Sequence, residues 1–134
     1  MRDRVAACLM LATGGGIMAF WVLFFTAGLA PDPAPPCYFA FEHSFPLPDL
    51  FLAAALMAAG VLVLSGRSAG RKLALAASGA LVFLGSLDFS FNIQNGVYRV
   101  SPAELFSNAG INLWCVGFGI FLFLSFFVPP SQGR

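Results

Sequence analysis

The sequence predicts an all-α integral membrane protein, an antiparallel four-helix bundle formed by a single domain over residues 1–134. Of its residues, 59% are hydrophobic and only 10% are charged, whereas soluble domains have about 25% charged residues. The chain therefore lacks the polar side chains to cover a water-facing surface, and lipid must surround much of it. Four long apolar runs predict membrane spans, and the short segments between them favour antiparallel neighbours. The predicted spans cover about residues 5–29, 47–65, 73–92 and 102–128.

The first span follows Arg2 and Arg4, so the chain begins as a signal peptide does. Its apolar run is much longer than the roughly 7–15 residues of a signal-peptide core, and we expect a retained helix. Gly14, Gly15 and Gly16 lie in its middle. Glycines let helices approach closely in lipid, which predicts that this part of the helix packs inward; a local kink is the other possibility.

The connections contain clear boundary signals. A proline-rich loop from Pro31 to Pro48 has an aromatic centre, and we expect that centre to lie on the membrane surface or to fold over the helix ends. Asp49 after Pro48 suits the start of the second span, because an acid is favourable near a helix N-terminus. Residues 66–72 predict a basic turn before the third span, and Ser101 to Glu104 has the form of a capping box at the start of the fourth.

The basic residues predict the orientation. All but one of them fall on the side that holds both termini, and Arg99 is the exception. Because positive residues concentrate in cytoplasmic segments, both termini should be cytoplasmic in a plasma or inner membrane. The basic residues on the predicted cytoplasmic side are Arg2, Arg4, Arg67, Arg71, Lys72 and Arg134.

A stripe of polar residues marks the outer end of the third span. Asp88, Asn92 and Asn95 follow the spacing i, i+4, i+7, so a helix places them on one face. If about 20 residues cross the membrane from Lys72, Asp88 lies about one turn inside the outer boundary. An ionisable residue at that depth is costly and usually faces the interior of a bundle.

The fourth span has a matching stripe, formed by Glu104, Asn108 and Asn112 at i, i+4, i+8. Counting back from Val128 places Asn112 at a depth similar to that of Asp88. Two consecutive spans thus direct polar residues toward one depth, and a shared cavity open to the outer side would satisfy both.

The stripes have several interpretations. In the structural one, Asp88 is protonated or hydrogen-bonded to Asn112 and joins the two helices. Plain exposure at the membrane interface, or separate partners in a homo-oligomer, are alternatives. In the functional one, the stripes line an outward-facing pocket. The ligand-binding residues predicted for that pocket are Asp88, Asn92, Asn108, Asn112, Trp114 and Glu42.

An acid–base pair, Glu42 and His43, lies in the aromatic loop. Such a pair could serve acid–base chemistry together with an intramembrane acid, although solvated pairs of this kind are common. The catalytic candidates are therefore Asp88, Glu42 and His43.

Several functions are not expected from this sequence. A single histidine excludes a bis-histidine haem or a multi-histidine metal site within the chain. No pair of cysteines forms C-x-x-C, and we find no phosphate loop or nucleophile elbow. The net charge of +1 provides no basic patch for nucleic acid. We expect no metal, no cofactor and no nucleic acid partner.

Three functions stay open from the sequence. The first is a pocket for a lipid-like or small amphipathic ligand drawn from the membrane. The second is a membrane-embedded acid–base enzyme that acts on a lipid-soluble substrate. The third is an accessory subunit whose glycine and alanine faces dock onto a larger membrane complex or another copy of the chain.

Overall fold

The computed structural model describes residues 1–127, and within this range the chain is helical and has no strand. Four of the five α-helices are long and apolar enough to cross a membrane, by length and composition. The short helix α2 and one turn of 3-10 helix lie in the connections. The α-helices are α1 (Arg2–Ala27), α2 (Tyr38–Glu42), α3 (Pro46–Leu64), α4 (Ser68–Gln94) and α5 (Pro102–Phe127), and the 3-10 turn is Val97–Arg99.

The helix bounds differ from the predicted spans mainly at the start of α4. This helix begins at Ser68, so Arg71 lies on the helix and the predicted basic turn is too long. The reversal needs only the residues around Gly66, whose φ of +70° suits glycine. Hydropathy finds the part of a helix that lipid covers, and the backbone continues as a helix beyond it. The predicted end of the fourth span at Val128, and Arg134, lie outside the described residues.

Glycine allows close contact between α1 and α3. A Cβ atom on Gly14 would lie 2.7 Å from Cγ of Met57, and one on Gly60 would lie 2.9 Å from the carbonyl oxygen of Ala7. Gly15 and Gly16 have open space at the same position. The predicted inward packing therefore holds for Gly14 alone. At these points, the small-residue faces that could dock onto another protein pack against helices of the same chain.

The contact between α4 and α5 is built in the same way. A Cβ atom on Gly85 would lie 2.9 Å from the carbonyl oxygen of Asn112 and from Cβ of Cys115. One on Gly119 would lie 2.8 Å from the carbonyl oxygen of Ser78. These approaches bring the polar stripe of α4 next to that of α5.

Polar contacts join α1, α4 and α5 at the end of the molecule where α1 begins. The guanidinium of Arg71 forms an ion pair of 3.0 Å with Asp3, and it lies 5.0 Å from the ring centroid of Phe126. Arg2 donates a hydrogen bond to the carbonyl oxygen of Ser125. This end is therefore closed by contacts among the three helices.

The aromatic loop covers the other end of α1 and α4. Tyr38 is buried in a cluster with Trp21 and Phe24 of α1. Phe41 stacks on Phe91 of α4, with ring centroids 3.8 Å apart. Of the two positions that the sequence left open for the loop, the structure shows the one over the helix ends.

Candidate functional site

A cavity of about 880 Å³ lies beneath this loop. Residues of all four long helices and of α2 line it. Its size is within the range of about 300–1,000 Å³ that is typical of small-molecule sites. All six residues predicted to bind a ligand lie in its wall: Glu42, Asp88, Asn92, Asn108, Asn112 and Trp114.

The cavity separates α1 from α5, and these two helices make few direct contacts. Beside the bond from Arg2 to Ser125 at the end of the molecule, a hydrogen bond at the cavity joins them, because Nε1 of Trp114 donates to Oγ1 of Thr13 at 3.1 Å. Trp114 and Ile111 both line the cavity, and each is 46% exposed. The cavity wall between α1 and α5 therefore includes large side chains that are about half exposed.

Asp88 and Asn112 share this cavity, but no direct hydrogen bond joins them, so of the two forms of the structural interpretation only the protonated Asp88 stays a prediction. Within residues 1–127, the carboxyl group of Asp88 has no hydrogen-bond partner. The side-chain amide of Asn112 instead donates to the hydroxyl oxygen of Tyr98 at 2.8 Å. Tyr98 belongs to the 3-10 turn that follows α4, so it reaches α5 from a position that helical spacing does not reveal. The carboxylate of Asp88 faces the cavity.

Hydrogen bonds fix the start of the stripe on α5. The backbone amide of Glu104 donates to Oγ of Ser101 at 3.1 Å, which is the serine half of the predicted capping box. Asn108 then donates to Oε2 of Glu104 at 2.8 Å. Glu104 also lines the cavity, and no bond joins it to Arg99 in the described part of the chain. Asn95, the third residue of the α4 stripe, lies outside the cavity wall.

A buried pair that the sequence does not indicate joins α1 and α3. Nε1 of Trp21 donates a hydrogen bond of 2.9 Å to Oδ2 of Asp49. Trp21 is 6% exposed and Asp49 is 8% exposed, and both line the cavity. In the sequence, Asp49 has the position of an ordinary acid near a helix N-terminus, and 28 residues separate it from Trp21.

The two residues of the loop pair have different environments. Glu42 faces the cavity, where burial raises its pKa to about 7 and the negative charges of Asp88 and Asp49 add to this effect. His43 is exposed, and its ring stacks on Phe25 with centroids 5.9 Å apart. His43 does not line the cavity, and its role in acid–base chemistry with the intramembrane acid stays a prediction.

The charges that line the cavity are all acidic. Four carboxyl groups lie in its wall, and no lysine, arginine or histidine does. In the range 1–127, no three histidine, cysteine, aspartate or glutamate residues are grouped closely enough to hold one metal ion. The four carboxyl groups belong to Glu42, Asp49, Asp88 and Glu104.

Comparisons of this chain with protein-family models, with curated proteins and with solved structures found no match.

Proposed function

We propose that this protein is an antiparallel four-helix membrane bundle that binds a lipid-like or small amphipathic ligand in the cavity between α1 and α5. The single observation that carries the proposal is the composition of the cavity wall. It is mostly apolar and aromatic, yet it holds convergent carboxyl and amide groups from four helices, α2, α3, α4 and α5. Small-molecule sites combine these two features. A ligand with an apolar body and a polar head would match both.

The bilayer would be the source of this ligand. Few direct contacts join α1 to α5, so an amphiphile would enter between these helices without leaving the lipid phase. In the orientation that the basic residues favour, both termini are cytoplasmic in a plasma or inner membrane. The cavity and the loop over it then belong to the outer half of the membrane.

The proposal is tested by identifying what is purified with the protein. Gly16 lines the cavity and Gly15 does not, and a Cβ atom on either glycine would meet open space. Gly16→Phe should therefore fill the cavity, while Gly15→Phe adds the same side chain to the same helix outside it. Mass spectrometry of solvent extracts should find one enriched amphiphile with the wild type and with Gly15→Phe, and much less of it with Gly16→Phe. Equal amounts from all three proteins would contradict the proposal.

An acid–base enzyme acting on a lipid-soluble substrate is the second candidate. It is favoured by the position of Glu42 and Asp88 on one cavity, because a carboxyl group with a pKa of about 7 can both give and take a proton near neutral pH. Incubation of the extracted amphiphile with fresh protein in D₂O separates the candidates. An enzyme should convert the amphiphile or introduce deuterium into it, and Asp88→Asn should abolish this. A binding protein should return it unchanged.

A further inference from the structure

We propose that the ligand of this cavity is an amphiphilic organic cation, such as a protonated long-chain amine. This inference rests on the proposed function and adds the charge and chemical class of the ligand. It depends on three independent features of the cavity: the sign of its charges, the nature of its apolar wall and a buried amide without a protein partner.

The first feature is an unbalanced negative charge. The cavity wall contains four carboxyl groups and no basic side chain. Asp49 is 8% exposed, and within residues 1–127 the only hydrogen bond to its carboxyl group comes from the neutral indole of Trp21. Carboxylates out of water require a compensating charge or a proton, because their desolvation is costly. A cation in the cavity would supply the compensating charge that the described residues do not.

The second feature is the aromatic wall. Trp21, Trp114, Phe20 and Tyr38 all line the cavity. Aromatic faces attract ammonium groups, and recognition of organic cations commonly uses several rings in this way. A small inorganic ion would instead need several oxygen ligands around one point, and residues 1–127 contain no such group of three acids. The wall therefore favours a cation with a large apolar body.

The third feature is Asn92. It lines the cavity, it is 5% exposed, and its side-chain amide has no hydrogen-bond partner within the described range. In that range, every fully enclosed side-chain nitrogen or oxygen atom has a hydrogen-bond partner. The unpartnered amide of Asn92 is therefore not fully enclosed, and the space beside it is the cavity that Asn92 lines. A buried amide is normally hydrogen-bonded. The carbonyl oxygen of Asn92 can accept a hydrogen bond from an ammonium N–H group.

The proton affinity of Glu42 agrees with these features. Burial raises its pKa to about 7, and the charges of Asp88 and Asp49 contribute in the same direction. The other titratable groups of the wall are Glu104 and the thiol of Cys115 on α5 and the hydroxyl of Tyr38 on α2. A cation that favours ionised Glu42 must, by linkage, bind more tightly when that group is already ionised. Affinity for a permanently charged amphiphile should therefore rise between about pH 6 and about pH 8.

The test uses three probes that share one alkyl chain: dodecylammonium, dodecanol and dodecanoate. Binding is measured by equilibrium dialysis of the radiolabelled probes at pH 7 against the protein in phosphatidylcholine nanodiscs, with empty nanodiscs subtracted. The wild type should bind dodecylammonium saturably and about tenfold or more tightly than dodecanol, the scale of a poorly solvated charge pair. Dodecanoate should bind most weakly.

Matched variants locate the effect. Asp88→Asn combined with Glu42→Gln should lower the affinity for dodecylammonium toward that for dodecanol, so that the ratio of the two affinities falls from about tenfold toward one. Asp32→Asn is the control, because Asp32 is exposed and lies outside the cavity wall. It should change neither affinity. If the double variant does not fold, the order of the three probes on the wild type decides the inference alone.

The outcomes separate the two proposals. Equal binding of dodecanol and dodecylammonium, or tighter binding of dodecanoate, would overturn the cationic ligand and leave an amphiphile-binding cavity. Unchanged affinity for dodecylammonium in a folded Asp88→Asn, Glu42→Gln protein would also overturn it. Absence of saturable binding for all three probes would overturn the proposed function together with this inference.

Discussion

Gly85 provides the sharpest test of how the stripes of α4 and α5 are brought together. Its added Cβ atom would lie 2.9 Å from the carbonyl oxygen of Asn112, Cβ of Cys115 and Cγ2 of Val116. Favourable contacts between carbon atoms need about 3.5–4.0 Å, so Gly85→Ala must push the helices apart by several tenths of an ångström or more. Overpacking of this kind costs about 1–3 kcal/mol.

Gly79 is the matched control on the same helix, because its added Cβ atom would meet nothing within 4 Å. Replacement of glycine by alanine in a helix is favourable by up to about 1 kcal/mol, and both variants share that gain. Gly85→Ala should therefore be less stable than Gly79→Ala by about 1–3 kcal/mol, the packing cost alone.

Reversible unfolding in mixed detergent micelles, followed by circular dichroism, measures this difference. Gly85→Ala should also retain less co-purified amphiphile, since the displaced backbone of Asn112 belongs to the cavity wall. Equal stability of the two variants would refute the close packing of α4 on α5 at this point.

Three further predictions concern the loop and its neighbours. Cys37 is exposed, so a membrane-impermeant maleimide should label it on intact cells when the other two cysteines are replaced by serine; labelling only after lysis would reverse the proposed orientation. Burial raises the pKa of Glu42 from 4.5 to about 7 in the folded protein. Between these pH values the carboxyl group is protonated in the folded protein and ionised in the unfolded chain, so its contribution to stability is present below about pH 4.5 and is lost as the pH rises through about 7. The melting temperature should accordingly fall over this range, with a shallower slope in Glu42→Gln; identical slopes would contradict the buried position of Glu42. Trp21→Phe removes the hydrogen bond to Asp49 and should cost about 1–3 kcal/mol in the same unfolding assay, because a buried carboxyl group loses its donor; a Phe variant as stable as the wild type would show that this bond is not formed in the membrane.

Much of the cavity could be predicted because depth in a membrane helix follows from counting. Asp88 and Asn112 were assigned to one depth from opposite ends of their helices, and the rise of a helix varies little. Both residues line the same cavity. The direct hydrogen bond between them could not be judged from depth, since it depends on which way each side chain turns. The side-chain amide of Asn112 donates a hydrogen bond to Tyr98 instead. Tyr98 lies in a turn whose geometry hydropathy does not describe.

The sequence does not indicate the pair of Trp21 and Asp49, and the reason is different. Trp21 and Asp49 meet only because α1 packs against α3, and each has a common alternative explanation in the sequence. A tryptophan near the end of a span suits an aromatic belt, and an acid near a helix N-terminus suits the helix dipole. Their adjacency in the sequence groups Glu42 with His43. Neighbours in a helical turn point about 100° apart, so only Glu42 reaches the cavity.

The most direct test of the account is the location of a photoreactive amphiphile on the protein. A long-chain amine that carries a diazirine is bound in phosphatidylcholine nanodiscs and irradiated, and the modified residues are mapped by mass spectrometry. Modification is expected within residues 84–92 and 104–115. It should fall markedly in Gly110→Phe, whose new side chain enters the cavity, and change little in Gly117→Phe, which lies outside it. Modification spread over lipid-facing residues such as Phe83 and Leu124, which are 70% and 62% exposed, and equal in both variants, would contradict this expectation.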